Sequence, residues 1–190
     1  MDGTLRLFIA AALPDETRDV LYRMREKFLR SGLDVKTVST EAMHLTLKFL
    51  GDVPEERVPE ITAAMERAVA GQKPFSLSAR GAGVFPGFKN PRVVWVGVGG
   101  DVDPLADLAA RLDGELAALG FEPESRRFSP HLTLARARGK LPPDRTMKAV
   151  EGLADMGSKP FIVDRLTLYK SELLPQGARH TPIFSATFPG

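Results

Sequence analysis

Three histidines occur in this 190-residue chain, and two stand in the same tetrapeptide: His44-Leu45-Thr46-Leu47 and His131-Leu132-Thr133-Leu134. Two chance copies, at matched positions of a repeat, are a coincidence on the order of one in ten thousand at ordinary composition. Side chains alternate along a strand. His44 and Thr46 therefore point one way, and Leu45 and Leu47 point into an apolar layer; His131 and Thr133 repeat the pattern. A two-fold arrangement would turn both polar pairs toward one groove. Two facing imidazoles can split a phosphodiester, one removing a proton from the nucleophile and the other giving one to the leaving oxygen. The two hydroxyls would hold the nonbridging oxygens.

A lone histidine on a half-buried strand is usually structural, and a lone threonine is a good strand former; the pairing argues against that reading here. Zinc needs a third ligand. His180 lies outside both motifs, and the carboxylates nearest to them are Glu41 and Asp52, so no metal site is expected. The formal charge is +2 with a pI near 9.0, too small to coat nucleic acid by charge alone but suited to one or a few phosphates. Ser125–Pro143 holds no acid and carries Arg126, Arg127, Arg136, Arg138 and Lys140. Alternation places Lys48 on the face of His44. It places Arg136 opposite His131, so Arg136 reaches the groove only if the strand ends or bulges near Ala135. Phe8, Phe49, Trp95, Phe128 and Tyr169 could stack on a base, although core packing is the ordinary role of such residues.

The elements that must position these residues read as an alternating pattern. Strands are expected at Leu5–Ala12 and His44–Leu50, with a short segment near Val35–Val38 and a helix from Asp15 to about Ser31. A second helix follows Pro54 and a strand covers Phe75–Ala79, while the Gly/Pro-rich stretch Gly81–Pro91 reads as a loop. The pattern then returns: a strand at Arg92–Val98, a helix with Leu105, Leu108, Leu112 and Leu116 on one face, and a strand at His131–Ala135. A helix with Met147, Val150 and Leu153, and strands at Phe161–Tyr169 and Pro182–Phe188, complete it. An offset of 87 residues places His44 on His131 and Leu21 on Leu108. This is an internal duplication. The expected fold class is α+β and bilobal, with two pseudo-two-fold-related lobes, antiparallel sheets lining the shared groove, and helices outside. Residues 1–190 form one unit with halves near 1–90 and 91–190 that could exchange terminal strands. The chain has 43% hydrophobic and 26% charged residues and no cysteine, which excludes disulfide frameworks and thiolate chemistry. No apolar run approaches a membrane helix, and Leu5–Leu13 reads as a strand rather than a signal peptide. A cytoplasmic protein is expected.

These residues carry a resemblance. Arg6–Ala10, His44–Gly51, Ser129–Arg136, and Leu168–Ser171 followed by Gly177 resemble the 2H phosphoesterase superfamily, within it the bacterial and archaeal RNA 2′,3′-cyclic phosphodiesterases, historically called 2′-5′ RNA ligases. A tyrosine is common in that family where this chain has His180. The resemblance implies metal-independent hydrolysis of RNA 2′,3′-cyclic phosphate ends to a 2′-phosphate, with no cofactor. His44 would be the proton donor to the leaving 3′ oxygen and His131 the acceptor that activates water, beside Thr46 and Thr133. Arg136 matches a family arginine implicated in phosphate binding; Lys48, Phe8 and Tyr169 are further substrate-binding candidates. The implied partners are such RNA ends or small cyclic phosphonucleotides, with no membrane, on a monomer. Related substrates are ADP-ribose 1″,2″-cyclic phosphate and 2′-5′ oligonucleotides. Reversal would give 2′-5′ ligation, though in ~55 M water hydrolysis should dominate unless the ends are held together. A non-catalytic nucleotide- or RNA-binding module is the alternative, and it would not need a paired acid and base.

Overall fold

A computed structural model describes residues 3–175 and 177–190. The first half runs β1 (Thr4–Ala11), α1 (Asp15–Leu29), β2 (Val35–Thr37), β3 (Leu45–Pro54), α2 (Val58–Val69) and β4 (Phe75–Phe85). The second runs β5 (Val93–Gly100), α3 (Val102–Ala117), β6 (His131–Ala137), α4 (Pro143–Glu151), β7 (Phe161–Val163), β8 (Arg165–Leu174) and β9 (Gly177–Thr187). The repeat is visible element by element. Shifted by 87, α1 falls on 102–116, where α3 stands, and β3 falls on β6.

All strand pairs are antiparallel, in two sheets ordered β3-β1-β8-β9 and β2-β6-β5-β4-β7. The repeat maps β3, β1 and β8 onto β6, β5 and β4, so the same three-strand order recurs in each sheet. The sheets nevertheless do not follow the halves of the sequence. The C-terminal hairpin β8–β9 completes the sheet built on β1 and β3, and β2 and β4 join the sheet built on β5 and β6. The helices cross over as well. α2 packs on α3 and against β8 and β9, α3 reaches β3, and α1 lies against β4 and β6. The result is two lobes with a cleft between their sheets and the helices outside.

The helices form where apolar positions recur at three and four residues. In α1, Leu21, Met24 and Phe28 are buried, Asp15 and Glu16 sit in the first turn, and Lys27 sits in the last, each on the favourable end of the helix dipole. The chain turns out after Leu29, and Gly32 takes φ +66°. In α3, Leu105, Leu108, Leu112 and Leu116 are buried as the pattern requires. α4 departs from expectation. Thr146 is buried and its hydroxyl donates to Pro142 O at 2.7 Å, which leaves Met147 exposed.

Two segments differ from the sequence reading. β4 continues through Gly81 to Phe85 instead of ending in a loop, because a bulge at Arg80/Ala82 lets Gly81 adopt φ +66° without breaking the pairing with β5. The strand expected over Phe161–Tyr169 is two strands in two sheets. β7 pairs with β4 and β8 with β1 and β9, and the chain crosses from one lobe to the other at Asp164. Among the described residues no helix is long and apolar enough to cross a membrane.

Candidate active site

His44 directly precedes β3, and Thr46 lies opposite Ala10 of β1. His131 opens β6 opposite Gly97, and Thr133 lies opposite Trp95. The two motifs are joined through β2. That strand pairs with β6 from Val35↔Ala137 to Thr37↔Ala135, and Val38 N–H donates to Leu134 O at 2.9 Å. The segment running into His44 thus lies alongside the residues that follow His131, and β3 and β6 come into contact. Arg18 fixes the intervening turn, donating to Leu13 O, Thr40 O and Glu41 O at 3.0, 3.2 and 3.1 Å.

Both imidazoles are held the same way. His44 Nδ1–H donates to Ala42 O at 3.1 Å, and His131 Nδ1–H donates to Ser129 O at 2.7 Å. A carbonyl only accepts, so Nδ1 carries the hydrogen in each ring, and Nε2 is the nitrogen left to exchange a proton. Each ring also has an aromatic edge contact, Phe8 against His44 at 5.8 Å and Phe85 against His131 at 4.9 Å. Phe85 stands in the stretch read as a loop, so sequence pattern did not mark it.

The residues around His44 form an aromatic wall. Phe8 and Tyr169 stack at 5.2 Å, and Tyr169 lies 4.4 Å from His44. Phe8 and Tyr169 are buried with Ala10 in a small cluster separate from the main core, so they frame the histidine rather than offering open faces. Phe49 is 5.9 Å from Phe8 and 68% exposed, which makes it the open aromatic of this wall. His180 joins the group 4.8 Å from Phe8 and 5.4 Å from His44. Its Nδ1 is buried without a partner among the described residues. Only adjacency in the folded sheet reveals it, because β9 pairs Ser171 with His180 and no repeat position marks it. Burial pulls the His44 imidazole down to about 4; the Ala42 carbonyl opposes this, and the positive charges of His180 and Arg18 reinforce it. Burial also lowers His180 and raises the Tyr169 phenol.

On the other lobe, Trp95 covers Gly83. A Cβ on Gly83 would lie 2.3 Å from the indole, so the glycine is what lets Trp95 lie flat beside Thr133. Phe128 packs against the main core and is not part of this wall.

Two bulges decide which charged residues face the cleft. In β3 the register slips between Ile9↔Lys48 and Ala10↔Thr46, so Leu47 and Lys48 both turn inward. Lys48 is 5% exposed and its Nζ donates to Asp113 Oδ1 and Glu122 O, both at 2.6 Å, with Glu124 Oε1 at 3.4 Å. The expected common face of His44 and Lys48 is therefore not found; the lysine ties β3 to α3 and the chain beyond it. In β6 the same slip falls between Val94↔Ala135 and Trp95↔Thr133. It buries Leu134 and Ala135 together and returns Arg136 to the face of Thr133, meeting the condition on which its reach depended. No group of three or more His, Asp or Glu suited to a metal ion occurs among the described residues.

Two lobes of antiparallel sheet, with one HxT strand in each, define a two-lobed phosphoesterase fold. The LigT-like phosphoesterase family model matches residues 12–95 and again 98–180, one match for each half of the repeat. The chain belongs to this family, and it is a phosphoesterase. It is 36% identical to the RNA 2′,3′-cyclic phosphodiesterase of Methanothermobacter thermautotrophicus over 93% of this chain and 95% of the relative. Against the protein of that name from Thermotoga maritima it is 36% identical, over 98% and 97%. The crystal structure of E. coli LigT complexed with 3′-AMP superposes with a TM-score of 0.78 at 28% identity, covering 99% of this chain and all (100%) of the other.

Proposed function

We propose that the protein hydrolyses the 2′,3′-cyclic phosphate at RNA ends to a 2′-phosphate by two-histidine acid–base catalysis. His131 Nε2 takes a proton from water, the water oxygen bonds to phosphorus, the bond from phosphorus to O3′ breaks, and His44 Nε2 gives its proton to O3′. Thr46 and Thr133 donate to the nonbridging oxygens, and Arg136 supplies positive charge on the same face. The observation that carries this reading is the matched tethering of both rings through Nδ1 to the carbonyl two residues earlier, which leaves Nε2 of each ring as the nitrogen that exchanges a proton. Relatives named for this reaction over nearly the whole chain support the substrate.

The depressed His44 imidazole is neutral at pH 7 in the free protein. A phosphate anion bound beside Thr46 favours the imidazolium, so the donor gains its proton together with the substrate. The test is a short RNA ending in a 2′,3′-cyclic phosphate, incubated with EDTA present, with the product phosphate mapped. The expected outcome is 2′-phosphate formation, reduced about a hundred- to ten-thousand-fold in His44→Ala and in His131→Ala. In Thr46→Val or Thr133→Val the reduction is about ten- to a hundred-fold, one charged hydrogen bond lost. Loss of activity in EDTA, restored by a divalent ion, would replace this mechanism with metal-assisted hydrolysis.

A further inference from the structure

The pseudo-two-fold symmetry of the site is broken at its rim. Phe49 and Arg136 are equivalent in the repeat, each five residues past its histidine and each turned to the cleft face by the same bulge. One rim therefore ends in an exposed phenyl ring and the other in a guanidinium. The cationic rim does not stop at Arg136. β2 lies outside β6, and Lys36 stands directly across from Arg136 in the register. Cross-strand partners share a face, and the inward residues of these strands, Val35 and Ala135, are buried. Lys36 and Arg136 are both exposed on the opposite face.

Neither makes an ion pair among the described residues. Elsewhere exposed arginines are matched, Arg67 to Glu115, Arg165 to Asp164 and Arg179 to Glu172. The next cation outward, Arg138, has Asp34 at 4.0 Å. Two adjacent unneutralised cations, the first on the same strand as Thr133 and the second one strand further out, form a short cationic track for an anionic chain. Along β6, Arg136 is about 10 Å from Thr133 at the usual rise per residue, and Lys36 is one strand spacing, about 4.8 Å, further out. That puts Lys36 within reach of the next link of a sugar–phosphate chain, one strand beyond the strand that carries Thr133 and Arg136.

We propose that Lys36, the cation next outward from Arg136, binds the phosphodiester on the 5′ side of the terminal nucleotide, so that the site is built for an RNA chain in preference to an isolated cyclic mononucleotide. This rests on the function proposed above and specifies its substrate. The anionic strand leaves the cleft across β6 and β2, because at the position equivalent to Arg136 the opposite rim presents the exposed ring of Phe49 instead of a cation. A lysine on an edge strand also discourages strand-to-strand association, and a role confined to that makes a different prediction.

The experiment compares a dinucleotide ending in a 2′,3′-cyclic phosphate with 2′,3′-cyclic AMP, which lacks the upstream phosphate. The wild type is expected to show the higher kcat/KM on the dinucleotide. In Lys36→Gln the ratio of the two kcat/KM values falls roughly tenfold, as one charged contact is lost. The slope of log kcat/KM on the dinucleotide against log salt becomes shallower by about 0.7, one phosphate contact fewer. Lys36→Arg keeps the ratio. A ratio unmoved in Lys36→Gln, whether or not the variant self-associates, overturns the subsite and leaves the edge-guarding role. If the wild type hydrolyses neither substrate, it is the proposed function that fails.

Discussion

His44 is where burial and chemistry pull in opposite directions. An imidazole in an unfolded chain titrates near 6.5, whereas burial among Phe8, Tyr169 and His180 holds this one at about 4. Below about pH 6.5 the unfolded chain takes up a proton that the folded protein refuses. Stability present above that pH is lost as pH falls toward 4, to a full extent of about 3 kcal/mol. His180, also lowered by burial, acts in the same direction. Urea unfolding at pH 7 and at pH 4.5 should therefore show a larger loss in the wild type than in His44→Gln, which has nothing to titrate at that position. Lowered carboxylates such as Glu41 and Glu172 lose their contribution further into acid and are common to both proteins. Equal losses would mean that His44 is hydrated in solution and that its proton needs no substrate to bring it.

At the scale of elements, the bulges in β3 and β6 are what alternation alone could not supply. The HxT pairs were legible because each lies before the slip, where period two still holds. Lys48 was misplaced because it lies after one. The inward turn makes it a structural cation, with Asp113 also receiving the Glu124 N–H at 3.0 Å. Lys48→Ala leaves that partly buried carboxylate without its cation, a change that costs about 3 kcal/mol where a buried pair is broken. The expected result is a lowered urea midpoint with kcat and KM nearly unchanged at a temperature where the variant stays folded. A raised KM at unchanged stability would instead restore Lys48 to the substrate. Arg136 and Phe49 make the converse point, since each reaches the cleft only through its bulge. Phe85 was not legible because it falls in the stretch read as a loop, and His180 was marked only as a departure from the family's usual tyrosine, its place beside His44 coming from cross-strand pairing that no spacing in the chain records.

At the scale of the whole molecule, the repeat was legible from the 87-residue offset and an exchange of terminal strands was open to it, but which strands cross between lobes was not. Identical strand order can be built from either half, and only packing decides which hairpin closes which sheet. Here β1 lies between β3 and β8, and β4 lies between β5 and β7, so each half needs strands from the other. A chain ending near residue 91 would keep β1 and β3 but lose β8 and β9. It would expose the free edge of β1 and the apolar face that Leu166 and Leu168 now help to bury. The corresponding C-terminal piece would lack β4, the strand that joins β5 to β7. Neither fragment should unfold cooperatively in urea when purified alone. Mixed in equal amounts, the two should regain a single transition and phosphoesterase activity, because every missing contact is supplied by the partner. Cooperative unfolding of residues 1–91 alone would show that the exchanged strands are dispensable and that the lobes are independent folding units.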